Sequence, residues 1–500
     1  MKADAIQQIV IVGGGTAGWM TAAAVANHLP AGACQITLIE SDAIGTVGVG
    51  ESTIPHIRRF NEILGIDEAE FMAATNATYK LGICFDHWGR EGDSYIHPFG
   101  EIGHVVHGIE FHHYWLKARQ WGINQPLERY ALNAVAARAG RFPEAITKND
   151  NQFSGYAYAY HIDATAYAKF LRNYAEKKNV QRLEGKVIEV RQDSTENIES
   201  VVLESGVEVG GDLFIDCTGF RAELIEKTLG VEFIDWSHWL ATDSAAVVPT
   251  ERSGTIYPFT RASARKAGWQ WCIPLQHRAG NGHVYASAQL SDDEAIDTLL
   301  NTLPDQPLAE PRLLRFKAGR RKMSWHKNCV AVGLSSGFLE PLESTSIYLI
   351  QFGIFKLLEL FPDKQFRQAD IDAYNTSLSS VYDTIRNFII LHYHLNQKND
   401  LPFWKNCQKM AIPQELEALI ALFSQAGRVD ISQFGVWPAV CIGQHLLPEH
   451  YDTRLDTMNP EMIKQFVTRC GEDIQDETAK SSSVNDYLER FLTGASHDRE

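Results

Sequence analysis

Short apolar runs alternate with amphipathic stretches along most of the chain. Gln8–Val12 is a β-branched run that leads straight into Gly13-Gly14-Gly15-Thr16-Ala17-Gly18. Met20 to Leu29 follows as an Ala-rich helical stretch, closed by Pro30 and Gly32, and Gln35–Glu40 is a second apolar run. Strand, glycine turn, helix and strand in this order predict a βαβ unit. Thr78 to Phe85 alternates as a strand does, and a helix is expected from Asp163 through Arg172. Further strands are expected at 186–190, 200–204, 212–216, 269–274 and 329–332. From about residue 347 helical patterns dominate, at 347–360, 369–395 and 414–425. The last twenty or so residues are polar and Ser-rich and read as loose. The pattern is α/β, with a mostly helical C-terminal part.

Composition narrows the class. The 500 residues carry 46 Lys plus Arg against 62 Asp plus Glu, a net charge of −16. Hydrophobic residues are 45% and charged residues 22%, the balance of a chain with a large core. Collagen-like, disordered and disulfide-scaffold classes are excluded. The negative charge argues against nucleic acid or an anionic membrane as partner. No two of the eight cysteines lie closer than 29 positions, so there is no CxxC pair and no Cys-rich metal site. Scattered cysteines fit buried thiols in a reducing compartment, and a cytoplasmic location is expected. One basic residue, Lys2, precedes Asp4, which is not a secretory signal, and no run of 18 apolar residues suggests a membrane span.

Gly13, Gly15 and Gly18 form G-x-G-x-x-G, with Thr16 and Ala17 inside it. The three glycines serve a tight turn, close approach of a pyrophosphate and helix-on-strand packing. Glu40 ends the next strand 22 residues after Gly18, where a carboxylate accepts from ribose hydroxyls. A glycine turn without ligand is the alternative, and the motif alone does not separate FAD from NAD. Gly211 to Gly219 is a strand running into Thr218-Gly219, the form of a second flavin contact, and there is no second G-x-G-x-x-G for a nicotinamide nucleotide. Electrons would then come from outside.

Three segments carry a resemblance. Gly13–Met20 reads GGGTAGWM, Gly268–Pro274 contains W-x-W-x-I-P, and Phe338–Ile347 reads FLEPLESTSI. Together they resemble the flavin-dependent halogenases of the tryptophan-halogenase family, from about residue 8 to about residue 410. The resemblance implies an FAD-dependent monooxygenase-like module over 1–346, with a His- and aromatic-rich substrate-side insertion at 95–150, and a helical substrate-covering region over 347–500. It implies FAD, supplied as FADH2 by a separate flavin reductase, and chloride or bromide, with no metal. It adds Val49, Gly50, Val187, Gly219 and Leu334 to the cofactor site.

The resemblance makes Lys80 and Glu343 catalytic, puts halide on the backbone N–H groups of Thr345 and Ser346, and makes His97 and Phe99 an aromatic platform for substrate. It makes Trp269, Trp271, Ile273 and Pro274 a wall that keeps substrate from the oxygen chemistry on the flavin. Each residue has a plainer reading. Trp269 and Trp271, two apart on a strand, are as easily core. Lysines are mostly solvated, although Lys80 shares its strand face with Thr78, Gly82 and Cys84, all small and uncharged. Glu340, Ser344 and Thr345 also suit helix caps. The family has glycine where Ser346 stands, which bears on pocket size and halide preference.

The C-terminal half departs from the family. Free-tryptophan halogenases hold the amino-acid group with a tyrosine pair and a glutamate, and close over the indole with a Phe-Trp pair. Anchoring on His445-Leu446-Leu447-Pro448 puts Ile420 and Ala421, Gly427, and Ile431 and Ser432 at those positions, with Trp437 nearby out of register. The expectation is a halogenase that makes hypohalous acid from O2 and halide and acts on an indole or an indole-containing compound rather than free tryptophan. A free-tryptophan halogenase, an FAD aromatic monooxygenase and a non-catalytic flavin-binding protein are the alternatives. The oligomeric state is not readable.

Overall fold

The computed structural model describes residues 4–42, 50–144, 155–430 and 434–497. Val49, Ile431 and Ser432 lie outside them. The chain forms two interleaved compact units. The first comprises 1–76, 162–243 and 315–383; the second 77–161, 244–314 and 384–500. The boundary expected at residue 346 falls inside the third segment of the first unit.

The first unit is built on a six-stranded sheet in the order Trp325–His326, Cys329–Ala331, Leu213–Asp216, Gln8–Val12, Gln35–Glu40, Gln181–Glu184. All pairings are parallel except the terminal Trp325–His326 hairpin. A parallel sheet is covered on both faces, which is why Ile9–Val12 and Leu213–Asp216 are buried throughout. The expected βαβ unit is present. Its helix, Thr16–His28, starts inside the glycine motif. Asp163 caps the helix Ala164–Lys177 by accepting from the N–H groups of Thr165 and Ala166.

The second unit centres on a seven-stranded sheet: Arg312–Arg315, Ser244–Thr250, Ala279–Tyr285, Gly268–Pro274, Phe259–Arg265, Gly82–Asp86, Ser94–Pro98. The expected strand over 78–85 is two strands. Thr78–Lys80 pairs with Ala159–Ile162, while Gly82–Asp86 joins the large sheet parallel to Phe259–Arg265. Leu81, between them, donates its N–H to Pro258 O at 2.7 Å. Residues 78–85 are buried on both faces, so their alternation is not a core-to-solvent one.

The C-terminus corrects a sequence expectation. Val484–His497 is a helix, not a loose tail. Val484, Tyr487, Leu488 and Phe491 recur at i, i+3, i+4 and i+7, an apolar stripe hidden in a polar composition. Tyr487 stacks on Phe142 at 5.0 Å and packs against Tyr79 at 5.5 Å. No helix among the described residues is long and apolar enough to cross a membrane.

Candidate active site

The nucleotide side is built on the first unit. Gly13 has φ +110, and a Cβ there would lie 2.2 Å from Cys217 O. A Cβ on Gly18 would lie 1.8 Å from Gly13 O, so turn and helix touch backbone to backbone. Gly15, at the helix N-cap, has nothing within 4 Å of a Cβ: it faces open space beside the free N–H groups of the helix N-terminus. Such a turn and helix N-terminus could hold a pyrophosphate. Glu40 accepts from the indole N–H of Trp19 at 3.2 Å and pairs with Arg182 at 2.5 Å. Thr16 and Ala17 lie in the first helical turn.

The remaining cofactor candidates lie on several separate segments. Gly219 has φ +68 in the turn after Leu213–Asp216. Buried Asp216 organises this turn: it accepts from Thr218 and from the N–H groups of Leu224 and Ile225. It is a turn anchor. Leu334 is exposed on a short turn whose Gly333 presses on Ala17, where a Cβ would come within 2.8 Å. Val187 opens the strand Val187–Gln192 and is half-buried. Gly50 has φ +93, and the next residue, Glu51, is a carboxyl that burial lifts to about 7. Sequence reading missed Glu51. The glycine cradle and the helix N-terminus suit FAD phosphates.

FLEPLESTSI folds as a short 3-10 turn, Pro341–Glu343, then Ser344 with φ +58, then the helix Ser346–Glu359 with Thr345 at its N-cap. Glu343 is 1% exposed and Glu340 is fully buried. Glu340 accepts from the hydroxyl of Thr242. Thr345 is buried, and its hydroxyl has no hydrogen-bond partner among the described residues. An unsatisfied buried hydroxyl beside the free N–H groups of a helix N-terminus is a donor set suited to a small anion.

The lysine side belongs to the second unit. Lys80 is fully buried, and its Nζ lies 5.0 Å from the centroid of the Phe99 ring. Phe99 is held by its N–H, which donates to Leu81 O at 2.8 Å. His97 is buried, accepts at Nε2 from the N–H of Val436 at 2.9 Å, and meets the Phe388 ring edge to face at 5.4 Å. Lys80 and Phe99 are thus brought together. His97 is committed to packing on one side.

Trp269 and Trp271 are buried, their rings 6.0 Å apart. Trp271 lies over Gly282, where a Cβ would be 2.2 Å from its ring. The Trp271 indole N–H is buried with no acceptor among the described residues. Ile273 is buried. Pro274 O accepts from the Thr78 hydroxyl at 2.6 Å. Fully buried His161 also touches Thr78, and its ring is held well below the usual histidine range, by burial first and then by the charge of Lys80. Sequence reading missed His161, which stood unmarked in Tyr160-His161-Ile162.

The positions compared with the tryptophan clamp are now physical. Ile420 and Ala421 are half-buried on the helix Gln414–Ala426. Gly427 ends that helix at φ +65, its O bonded to His112 Nε2 at 2.6 Å. A Cβ there would lie 2.9 Å from His113. Trp437 is core, packed on Phe388 at 5.9 Å, with its N–H on Phe434 O.

Comparison with known proteins gives the family. The family model "Tryptophan halogenase" matches residues 8–460. The tryptophan 6-halogenase SttH of Streptomyces toxytricini is 39% identical over 437 residues, 82% of each chain. Among solved structures, a flavin-dependent halogenase from Xanthomonas campestris superposes with a TM-score of 0.93 at 45% identity, covering 97% of this chain and 98% of that one. BrvH, a flavin-dependent halogenase from Brevundimonas sp. BAL3, gives 0.92 at 44%, covering 97% and 99%. A family match over residues 8–460, a matching fold and matched length make one conclusion: the chain is an enzyme and belongs to the tryptophan halogenase family of flavin-dependent halogenases.

Proposed function

We propose that the enzyme uses FADH2 from a separate flavin reductase, O2 and chloride or bromide to halogenate an electron-rich indole that carries no amino-acid handle. The observation that carries this reading is Lys80: a lysine fully buried against an aromatic face, where an ammonium can hold hypohalous acid next to a ring. When bound, reduced FAD supplies the two electrons that let O2 and halide become hypohalous acid and water.

The chain's own residues do the rest. Gly13, Gly15, Thr16, Ala17, Gly18 and Glu40 bind the nucleotide, with Gly50, Val187, Gly219 and Leu334 around it. The N–H groups at Thr345 and Ser346 hold the halide. Trp269, Trp271, Ile273 and Pro274 keep organic substrate from the flavin. Lys80 orients hypohalous acid, by hydrogen bond or as a haloamine. His97 and Phe99 stack the substrate ring, and Glu343 stabilises the ring cation and accepts its proton.

The absence of a handle rests on Ile420, Ala421 and Gly427. None of them pairs an ammonium or carboxylate, and buried charges without partners are costly. Indole is therefore expected to react at C3, its most nucleophilic carbon. The test is kcat/KM for indole and for free tryptophan, measured side by side with a flavin reductase, NADH and bromide, with products resolved by mass and NMR. Preference for indole at C3 supports the reading. Preference for tryptophan with benzo-ring selectivity overturns it.

A further inference from the structure

Thr78, Lys80 and His161 share one face of a two-stranded ladder. Thr78 stands opposite His161 and Lys80 opposite Ala159, so the imidazole and the lysine stem are diagonal neighbours. His161 Nδ1 lies 3.1 Å from Thr78 Oγ1, and Nε2 lies 3.0 Å from Thr260 Oγ1. Thr78 Oγ1 is in turn 2.6 Å from Pro274 O.

With the ring neutral, these contacts fix the direction of each proton. A carbonyl only accepts, so the single hydroxyl proton of Thr78 points at Pro274. Thr78 Oγ1 then accepts from His161, which places the ring proton on Nδ1. Nε2 is left as acceptor, and Thr260 donates to it. Burial and the Lys80 charge keep the ring neutral, in agreement with a single ring proton. The chain ends on a peptide carbonyl, which takes up no proton at ordinary pH, so it is not a proton wire.

Its consequence is mechanical. After Lys80, the backbone is pinned by Leu81 N–H on Pro258 O and by Leu81 O, which accepts from Phe99 N–H and from Asn133 Nδ2 at 3.3 Å. Before Lys80, the Thr78 hydroxyl is tied to the last residue of the W-x-W-x-I-P segment. We propose that Thr78 and His161 are positioning residues for Lys80: their relay locks the lysine strand to the Pro274 carbonyl and keeps the ammonium over Phe99. A neutral ring with one donor and one acceptor bridges two hydroxyls without adding a second charge beside the ammonium. The consequence for turnover rests on the reading of Lys80 given above.

Thr78→Val removes the hydroxyl, and Thr78→Ser keeps it. Two readouts separate position from chemistry. In the first, the full-length enzyme with FAD, a flavin reductase, NADH, bromide and indole is assayed for bromoindole per flavin oxidised, with free hypobromous acid captured by monochlorodimedone. Thr78→Val is expected to lose about tenfold in bromoindole while captured hypobromous acid does not fall, and Thr78→Ser to restore the ratio. The second needs no turnover. With 13C-labelled lysine, the Lys80 Cε resonance, assigned by Lys80→Arg, is displaced by the Phe99 ring current. Thr78→Val should move it toward the solvated-lysine position, and Thr78→Ser should not. His161→Leu should behave as Thr78→Val, and His161→Asn, which retains an N–H toward Thr78, should stay near wild type. An unchanged Lys80 resonance in both Thr78→Val and His161→Leu overturns the proposal. A resonance that moves as expected, in an enzyme that brominates nothing, upholds the positioning and overturns the halogenase reading alone.

Discussion

The Nζ of Lys80 stands 5.0 Å from the centre of the Phe99 ring, with the whole lysine side chain out of solvent. A ring face attracts a cation by about 0.5–2 kcal/mol and leaves its N–H groups able to reach another acceptor. Replacing the lysine removes the buried charge over the Phe99 ring. Lys80→Ala is expected to abolish halogenated product while FAD binding, followed by flavin fluorescence, stays within about twofold of wild type. Near-normal product in this variant would remove Lys80 from the mechanism.

Gly13 and Gly18 touch backbone, where nothing can give way. Gly13→Ala or Gly18→Ala should weaken FAD binding by at least about tenfold, through displacement of the turn. Gly15→Ala meets no protein atom. It should leave the apo fold at wild-type melting temperature and lower FAD affinity, because its methyl would occupy the phosphate's approach. Titration with FAD alongside thermal melts distinguishes the two kinds of glycine.

Trp19 is buried, and its indole N–H orients Glu40. Trp19→Phe keeps most of the apolar bulk and deletes the donor. FAD affinity should fall about tenfold or more, about 1.5–3 kcal/mol for one hydrogen bond to a charged acceptor. Unchanged affinity would mean that Arg182 alone holds Glu40 in place.

Restoring a carboxylate at Gly427 should not create a tryptophan clamp. The residue has φ +65, and a Cβ would press on His113. Gly427→Glu is expected to cost about 1–3 kcal/mol and to lower the melting temperature without raising activity on free tryptophan.

His112, bonded to Gly427 O, is depressed to about 3, chiefly by burial and then by His113. Above pH of about 6.5 the ring is neutral in both folded and unfolded chains, so its linkage is silent. As pH falls from there toward 3, the unfolded chain takes up a proton that the folded one refuses, and stability is lost. His283, at about 4, adds to this loss, while Glu51, at about 7, opposes it because it is protonated in the fold first. Comparing wild type with His112→Gln isolates one group. The stability gap between them should narrow as pH falls from 6.5 to 4.5, by up to about 1.4 kcal/mol per pH unit. Urea titrations at three pH values measure it, and a gap constant with pH would refute it.

The βαβ unit, the glycine turn and Glu40 at the next strand end were legible in the sequence, because each depends on local chain geometry: period, positive φ and the reach of one loop. The helix Ser346–Glu359 was legible for the same reason. The pattern at 78–85 was legible as extended chain. It could not show that both faces are buried or that the strand breaks at Leu81, because that follows from partners 79 to 177 positions away, at Ala159 and Pro258. The C-terminal helix had its apolar stripe in plain view, but polar composition masked a face whose target, Phe142 and Tyr79, lies hundreds of residues upstream. Lys80 was chosen by resemblance, since periodicity treats all lysines alike; among the described residues its complete burial, against Phe99, sets it apart. His161 carried no sequence signal whatever. Its role comes from two hydroxyls that pairing and sheet register bring within 3.1 Å of its ring, and from the carbonyl that one of them reaches at 2.6 Å. A hydrogen-bond relay of that kind has no period, so tertiary structure alone decides it.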